Sequence, residues 1–229
     1  MKQVLSLPII MINFKTYPQS IGKKGLRLAK IVEKISKKYG VTIAVVPQFY
    51  DVRLIATSVD IPVFAQHVDP ITPGAHTGHS LAETIKDSGA IGSLINHSEK
   101  RMKVDEIKQS VKIMRKNGLL SVVCVPNIKF AKLVVKYKPN FIAYEPPELI
   151  GSGRAVSKVK PEVVEKFSKL IKTHGKGIIP LCGAGITTAD DVRLAVELGT
   201  SGVLLASAFV KAKDPKKVLE KMAKALVNA

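Results

Sequence analysis

Two hydrophobic periods take turns along this chain. Short, mostly apolar runs with the length and content of buried strands occur at Pro8 to Ile12, Val41 to Val46, Pro62 to Ala65, Ile91 to Asn96, Leu119 to Val125, Asn140 to Tyr144, Gly177 to Leu181 and Gly202 to Leu205. Between them the apolar positions recur every three or four residues, as in Leu26-Ala29-Val32-Ile35, Ile107-Val111-Met114, Val164-Phe167-Leu170 and Leu219-Met222-Leu226, which is the spacing of a helix with one buried face. Strand and helix patterns alternate from end to end, so the pattern predicts α/β architecture with a parallel sheet. Eight pairs in 229 residues leave about 29 residues per unit, near the minimum for a closed (β/α)8 barrel. The expectation is a TIM-type (β/α)8 barrel forming a single domain over residues 1–229.

Local punctuation agrees. Gly40, Gly89, Gly118, Gly175 and Gly199 each stand between a helical pattern and a strand, where a residue with positive φ commonly ends a helix. Thr187-Thr188-Ala189-Asp190 and Asp214-Pro215 read as helix starts. Two connections are long, His67 to Ser80 and Pro146 to Lys160, and long loops in a compact fold tend to carry function.

In a closed βα barrel the chemistry sits at the carboxyl ends of the strands, and most of these ends carry polar or very small residues. The first ends in Asn13-Phe14-Lys15, the third in Gln66-His67, and the fourth in Asn96-His97-Ser98-Glu99. The sixth ends in Glu145, the seventh in Gly183-Ala184-Gly185, and the eighth in Ala206-Ser207. Glu145 closes an apolar strand, and Pro146-Pro147 cannot continue it, because proline has no N–H to give. Gly151-Ser152-Gly153 then supplies hinges. The arrangement reads as a base beside a lid.

Asn13-Phe14-Lys15, His97-Ser98-Glu99-Lys100-Arg101, Ala143-Tyr144-Glu145-Pro146 and Gly151-Ser152-Gly153 resemble the signature segments of the triosephosphate isomerase family. Gly74-Ala75-His76-Thr77-Gly78 looks like that family's intersubunit loop, and the short chain with Cys182-Gly183-Ala184-Gly185 is similar to its archaeal branch. The resemblance implies glycolytic and gluconeogenic interconversion of dihydroxyacetone phosphate and D-glyceraldehyde 3-phosphate, without a cofactor or metal. Glu145 is then the general base, because a carboxylate desolvated under a lid gains basicity. His97, placed at the start of an expected short helix from Ser98 to Met102 whose positive end disfavours imidazolium, is the neutral donor to the carbonyl oxygen; base, neutral histidine and closing loop are the roles known for the family that this chain resembles. Lys15 and Asn13 flank the developing charge, with Glu99 as a supporting carboxylate beside Lys15. Backbone N–H groups of Ile150, Gly151, Gly185, Ala206 and Ser207 are expected at the phosphate, where small residues let the chain come close. The chain departs from much of the family in Pro147-Glu148-Leu149 within the lid, in the missing Gly-Gly-Ser of the seventh turn, and in His79, where many members carry glutamate.

The net charge of +18 would attract any anion, but there is no Trp, aromatic residues make up 5%, and no basic stretch is interleaved with stacking aromatics, which ranks specific nucleic-acid binding low. The lysines fall mainly on helical patterns as solvated faces. Cys124 and Cys182 lie in apolar runs as small buried hydrophobes, without a disulfide framework. The run from Val4 to Phe14 reads as a first strand and not a signal segment, and no stretch is long enough to span a membrane, so a cytoplasmic protein is expected. By the resemblance the loop from His67 to Ser80 reaches a neighbouring subunit, and a homo-oligomer follows, a tetramer in preference to a dimer. Other barrels acting on sugar phosphates, such as phosphoribosylanthranilate isomerase or a pentose-phosphate epimerase, share the phosphate site but not the joint set Asn13, Lys15, His97 and Glu145. A basic scaffold for RNA or another polyanion is the alternative outside enzymes; its binding would weaken steeply with salt and survive loss of Glu145.

Overall fold

The computed structural model describes residues 5–149 and 153–229. Eight parallel strands form one sheet: β1 (Ile9–Asn13), β2 (Thr42–Val46), β3 (Phe64–Ala65), β4 (Gly92–Ile95), β5 (Leu120–Val125), β6 (Phe141–Tyr144), β7 (Ile179–Cys182) and β8 (Gly202–Leu205). They are ordered β2-β1-β8-β7-β6-β5-β4-β3. The ends of that order meet through a lone parallel bridge, Val45 to Val63, and a 3.0 Å bond from the Val45 N–H to the Pro62 carbonyl. The sheet thereby closes on itself. All eight expected strands are present, each with its ends within two residues of the expected bounds. β3 is the shortest, because Pro62 has no N–H for a ladder and Val63 pairs only as the bridge.

Period two along each strand builds two cores. Ile10, Ile12, Ile43, Val45, Val123 and Ile142 point outward to the helices, while Ile9, Met11, Ala44, Val46, Leu94, Val122, Cys124, Phe141, Ala143, Leu181 and Leu204 fill the barrel interior. Inside it Phe64 and Phe141 meet edge to face with ring centroids 6.5 Å apart. Truncating either ring to Ala would cost about 3–5 kcal/mol, since the layer around it is closed.

The helices among the described residues are α1 (Lys23–Tyr39), α2 (Val52–Ala56), α3 (Ala82–Asp87), α4 (Val104–Lys116), α5 (Ile128–Val135), α6 (Val156–Val159), α7 (Pro161–His174), α8 (Ala189–Glu197), α9 (Ser207–Val210) and α10 (Pro215–Val227). In α1 the buried stripe is Leu28, Ala29, Val32 and Ile35, and Gly40 ends the helix at φ 64° with its N–H on the Ser36 carbonyl. Gly175 departs from the expected pattern: it ends α7 at a negative φ of −112°. The short helices α6 and α9 were not expected. They occupy stretches the sequence leaves as the end of the long lid connection and the turn before α10. Thr188 and Asp214 cap α8 and α10 by accepting from Asp191 and Lys217 N–H.

Candidate active site

The interior register continues one step past the strands. Met11, Leu94, Ala143, Leu181 and Leu204 belong to the barrel core, and two residues beyond them stand Asn13, Asn96, Glu145, Gly183 and Ala206. Alternation alone therefore delivers polar or very small residues to the carboxyl-end rim.

Glu145 is 2% exposed, and its N–H still bonds to the Val125 carbonyl at 2.8 Å before Pro146 turns the chain away. One carboxyl oxygen lies 3.7 Å from His97 Nε2; the other has no hydrogen-bond partner although it is buried. Burial raises its pKa to about 7, against the opposing pull of a hydrogen bond from the Cys124 thiol and of the Lys15 and Arg101 charges. Cys124, one interior layer below on β5, has its own thiol pKa raised by burial first and then by this carboxylate. The sequence alone marks Cys124 as a core residue; the signal that it touches Glu145 is the β5–β6 register, Cys124 opposite Ala143 with Glu145 the next inward-facing residue, just past the end of β6.

His97 follows Asn96, which sits at φ 58° and ties the turn together: its Nδ2 donates to the Cys124 carbonyl, its Oδ1 accepts from the Met102 N–H, and Arg101 donates to its carbonyl. The expected helix from Ser98 to Met102 is absent. A turn stands there, closed by Lys100 N–H on the His97 carbonyl, because the Asn96 side chain takes the Met102 N–H that a helix would use. The neutral imidazole is thus not owed to a helix end. Burial lowers its pKa to about 4, Glu99 opposes, and Lys15 and Arg101 reinforce. The Glu99 N–H donates to Nδ1 at 3.2 Å, so the ring proton resides on Nε2, which faces Glu145. At 3.7 Å, with burial favouring the uncharged form of both partners, the pair is better described as carboxyl beside imidazole than as an ion pair.

Lys15 adopts φ 48°, uncommon for a residue with a side chain, and is held there from both sides. Its N–H donates to Asn13 Oδ1 at 2.9 Å and its carbonyl accepts from Gln66 Nε2 at 3.0 Å. Its ammonium lies 2.7 Å from Glu99, as the resemblance implies. Asn13, Lys15, His97, Glu145, Gly185, Ala206 and Ser207 all line one pocket, joined by Tyr17, Ile186 and Thr187, which the sequence does not mark as site candidates. Ile150 and Gly151, the remaining candidates, lie outside the described residues. Glycine is required at 183 beside Glu145: a Cβ there would stand 2.6 Å from Glu145 Cγ. Gly185 combines φ 72° with an approach to the Arg154 carbonyl that no side chain would permit. Among the described residues no group of three His, Cys, Asp or Glu side chains could hold a metal ion.

A closed eight-stranded ring with a buried carboxyl, an imidazole, a lysine and two glycine or small-residue turns on its carboxyl-end rim defines an enzyme of the (β/α)8-barrel class. Residues 8–225 match the family model described as triosephosphate isomerase. The chain is 53% identical to the triosephosphate isomerase of Methanothermus fervidus over 94% of its own length and 97% of that protein's, and 51% identical to that of Methanocaldococcus jannaschii over 94% and 99%. It is 46% identical to that of Pyrobaculum calidifontis over 98% and 99%. The chain belongs to the triosephosphate isomerase family and is an isomerase.

Proposed function

We propose that this chain interconverts dihydroxyacetone phosphate and D-glyceraldehyde 3-phosphate in glycolysis and gluconeogenesis, with the barrel as its one domain, Glu145 as general base and neutral His97 as electrophile. The observation that carries the assignment of roles is the buried Glu145 carboxyl with one unpartnered oxygen, facing the protonated Nε2 of His97 across a gap too long for a hydrogen bond. Ionised Glu145 takes the proton from the carbon next to the carbonyl. The electron pair of that C–H bond moves into a carbon–carbon double bond, and the carbonyl oxygen becomes an enediolate oxygen bonded to His97 Nε2–H and close to the Lys15 ammonium. His97 then passes a proton between the two oxygens, and Glu145 returns its own to the neighbouring carbon. Gly185, Ala206 and Ser207 present backbone to the phosphate, a role the family resemblance also gives to Ile150 and Gly151. Substituting Glu145 by Gln tests the roles: turnover falls on the order of 10³-fold or more while folding is retained, and a variant with wild-type turnover overturns them.

The oligomer belongs to the same proposal. Residues 72–79 are all exposed, on a loop clasped at its base by reciprocal Asp69 and Ser80 bonds of 2.9 and 2.6 Å and by His67 on Asp69 at 2.9 Å; Tyr50 beside it is 94% exposed. A loop so firmly clasped and so bare fits insertion into a neighbouring copy, and a homotetramer is the assembly proposed, located in the cytoplasm. No described helix is long and apolar enough to cross a membrane. Sedimentation velocity decides the assembly, with a monomer as the overturning result.

A further inference from the structure

The loop after β7, residues 183–188, is fastened by more than its helix cap. Asp191, in the first turn of α8, is 2% exposed, and its two carboxylate oxygens serve different parts of the molecule. Oδ2 accepts from the Thr187 N–H at 2.9 Å, the Thr187 hydroxyl at 3.1 Å and the Thr188 N–H at 2.8 Å. Oδ1 lies 2.8 Å from the Lys158 ammonium on α6, the helix into which the lid runs. A capping box requires only the reciprocal pair, Thr188 N–H to Asp191 and Asp191 N–H to Thr188 Oγ1. The Thr187 and Lys158 contacts are additional. The same two segments touch elsewhere: the Val156 N–H donates to the Ala184 carbonyl at 3.1 Å, Ser157 Oγ donates weakly to the Asp191 carbonyl at 3.4 Å, and Gly185 packs on the Arg154 carbonyl. Loop 183–188 is also in contact with the base through Gly183.

We infer that Asp191 is a positioning residue, a charged strut that holds loop 183–188 in its anion-receiving form and binds it through Lys158 to the exit of the lid, so that phosphate loop and lid exit behave as one piece. The inference rests on the reading of this loop as part of the phosphate site. Burial alone would raise the Asp191 pKa, but the Lys158 ammonium and the Thr187 and Thr188 N–H donors outweigh it and keep the carboxyl ionised at neutral pH. Neither Asp191 nor Lys158 lines the pocket, so they act only through what they hold.

The test compares wild type with Lys158→Met, Lys158→Arg and Asp191→Asn. Three quantities are read: kcat/KM for glyceraldehyde 3-phosphate, the Kd of inorganic phosphate by calorimetry, and deuterium exchange at C2 of unphosphorylated D-glyceraldehyde. A strut predicts that Lys158→Met and Asp191→Asn each weaken phosphate binding and lower kcat/KM by about tenfold, while exchange on the unphosphorylated triose stays within about twofold and Lys158→Arg restores wild-type values. Charge alone predicts otherwise, because Lys158→Met removes a positive charge and Asp191→Asn removes a negative one, so their effects on phosphate would have opposite signs. Opposite signs, a parallel loss on both trioses, or no change would each overturn the inference. Should Asp191→Asn fold poorly, the Lys158 pair decides, since that side chain is 43% exposed and its loss leaves the cap intact. Wild type inactive on the phosphorylated triose would sink the functional reading instead, and the phosphate Kd series would still judge the strut.

Discussion

Replacing Glu145 by Gln should remove activity and, above neutral pH, stabilise the fold. The side chain is 2% exposed, and burial lifts its pKa from 4.5 to about 7. Below pH 4.5 the group is protonated in both the folded and the unfolded chain and makes no difference to stability. As pH rises past 4.5 the unfolded chain releases the proton while the folded one keeps it, so stability is lost progressively until the pH passes about 7, after which the penalty is constant. About 2.5 pH units at about 1.4 kcal/mol each give about 3 kcal/mol. The amide isolates that charge: it has nearly the shape of the acid, it keeps one acceptor for the Cys124 thiol, and the second terminal atom, unpartnered in the acid, stays so in the amide. Urea unfolding of both proteins at pH 4.5 and pH 8.5 reads the difference directly. The variant should match wild type at the lower pH and exceed it by about 3 kcal/mol at the higher, or by about 6–12 °C in a thermal scan of a chain this size. Equal stability at pH 8.5, or a gain confined to pH 4.5, would refute the claim that the base is held against its own solvation. A group kept at such cost is expected where its basicity is used.

Gly183→Ala places a methyl 2.6 Å from Glu145 Cγ and should lower kcat by about 10²-fold by displacing the base, with the KM much less affected; unchanged kcat would show that the carboxylate can give way. The acid limb of kcat/KM should lie near pH 7 in wild type, because Glu145 must be ionised to act, and Cys124→Ala should move it to higher pH by removing a donor to the carboxylate; a limb that stays in place would separate the thiol from the base. Lys15→Met should lower kcat/KM by about 10²-fold or more with little change in stability, since its partner Glu99 is 59% exposed on the side chain and loses little in water; a large fall in Tm would assign Lys15 to the fold instead.

The strands were legible because a closed barrel leaves each of them no face to expose. Residues pointing inward meet the barrel core, residues pointing outward meet helices, and the result is a row of nearly uninterrupted apolar runs that no loop imitates. The site candidates were legible for the same reason: a polar residue at the end of such a run, as at Asn13 or Glu145, needs an explanation that a polar residue on a helix does not. What stayed hidden depends on partners far apart in the sequence. The turn at 98–102 reads as a helix start until Asn96 Oδ1 is seen to take the Met102 N–H, and Cys124 reads as core until the β5–β6 register sets it beneath Glu145. Asp191 reads as a helix cap, which it is, and its second oxygen became visible only with Lys158 beside it.

A set of contacts made across the rim ties the fold to the chemistry. Each fixes a rim residue from behind: Gln66 on the Lys15 carbonyl, Arg101 on the Asn96 carbonyl, Asp191 on Thr187. Lys15 and Asn96 both hold positive φ, a conformation that costs about 1–3 kcal/mol and persists only where the surroundings over-determine it. The polar layer behind the rim supplies that over-determination. Short strands of four to six residues cannot place a lysine, an imidazole and a carboxyl to fractions of an ångström by themselves, because each side chain leaves its strand through a turn. Reach from strand to reacting atom is therefore set by hydrogen bonds within and between the loops. Loss of any one of them should disturb the rim and leave the barrel standing.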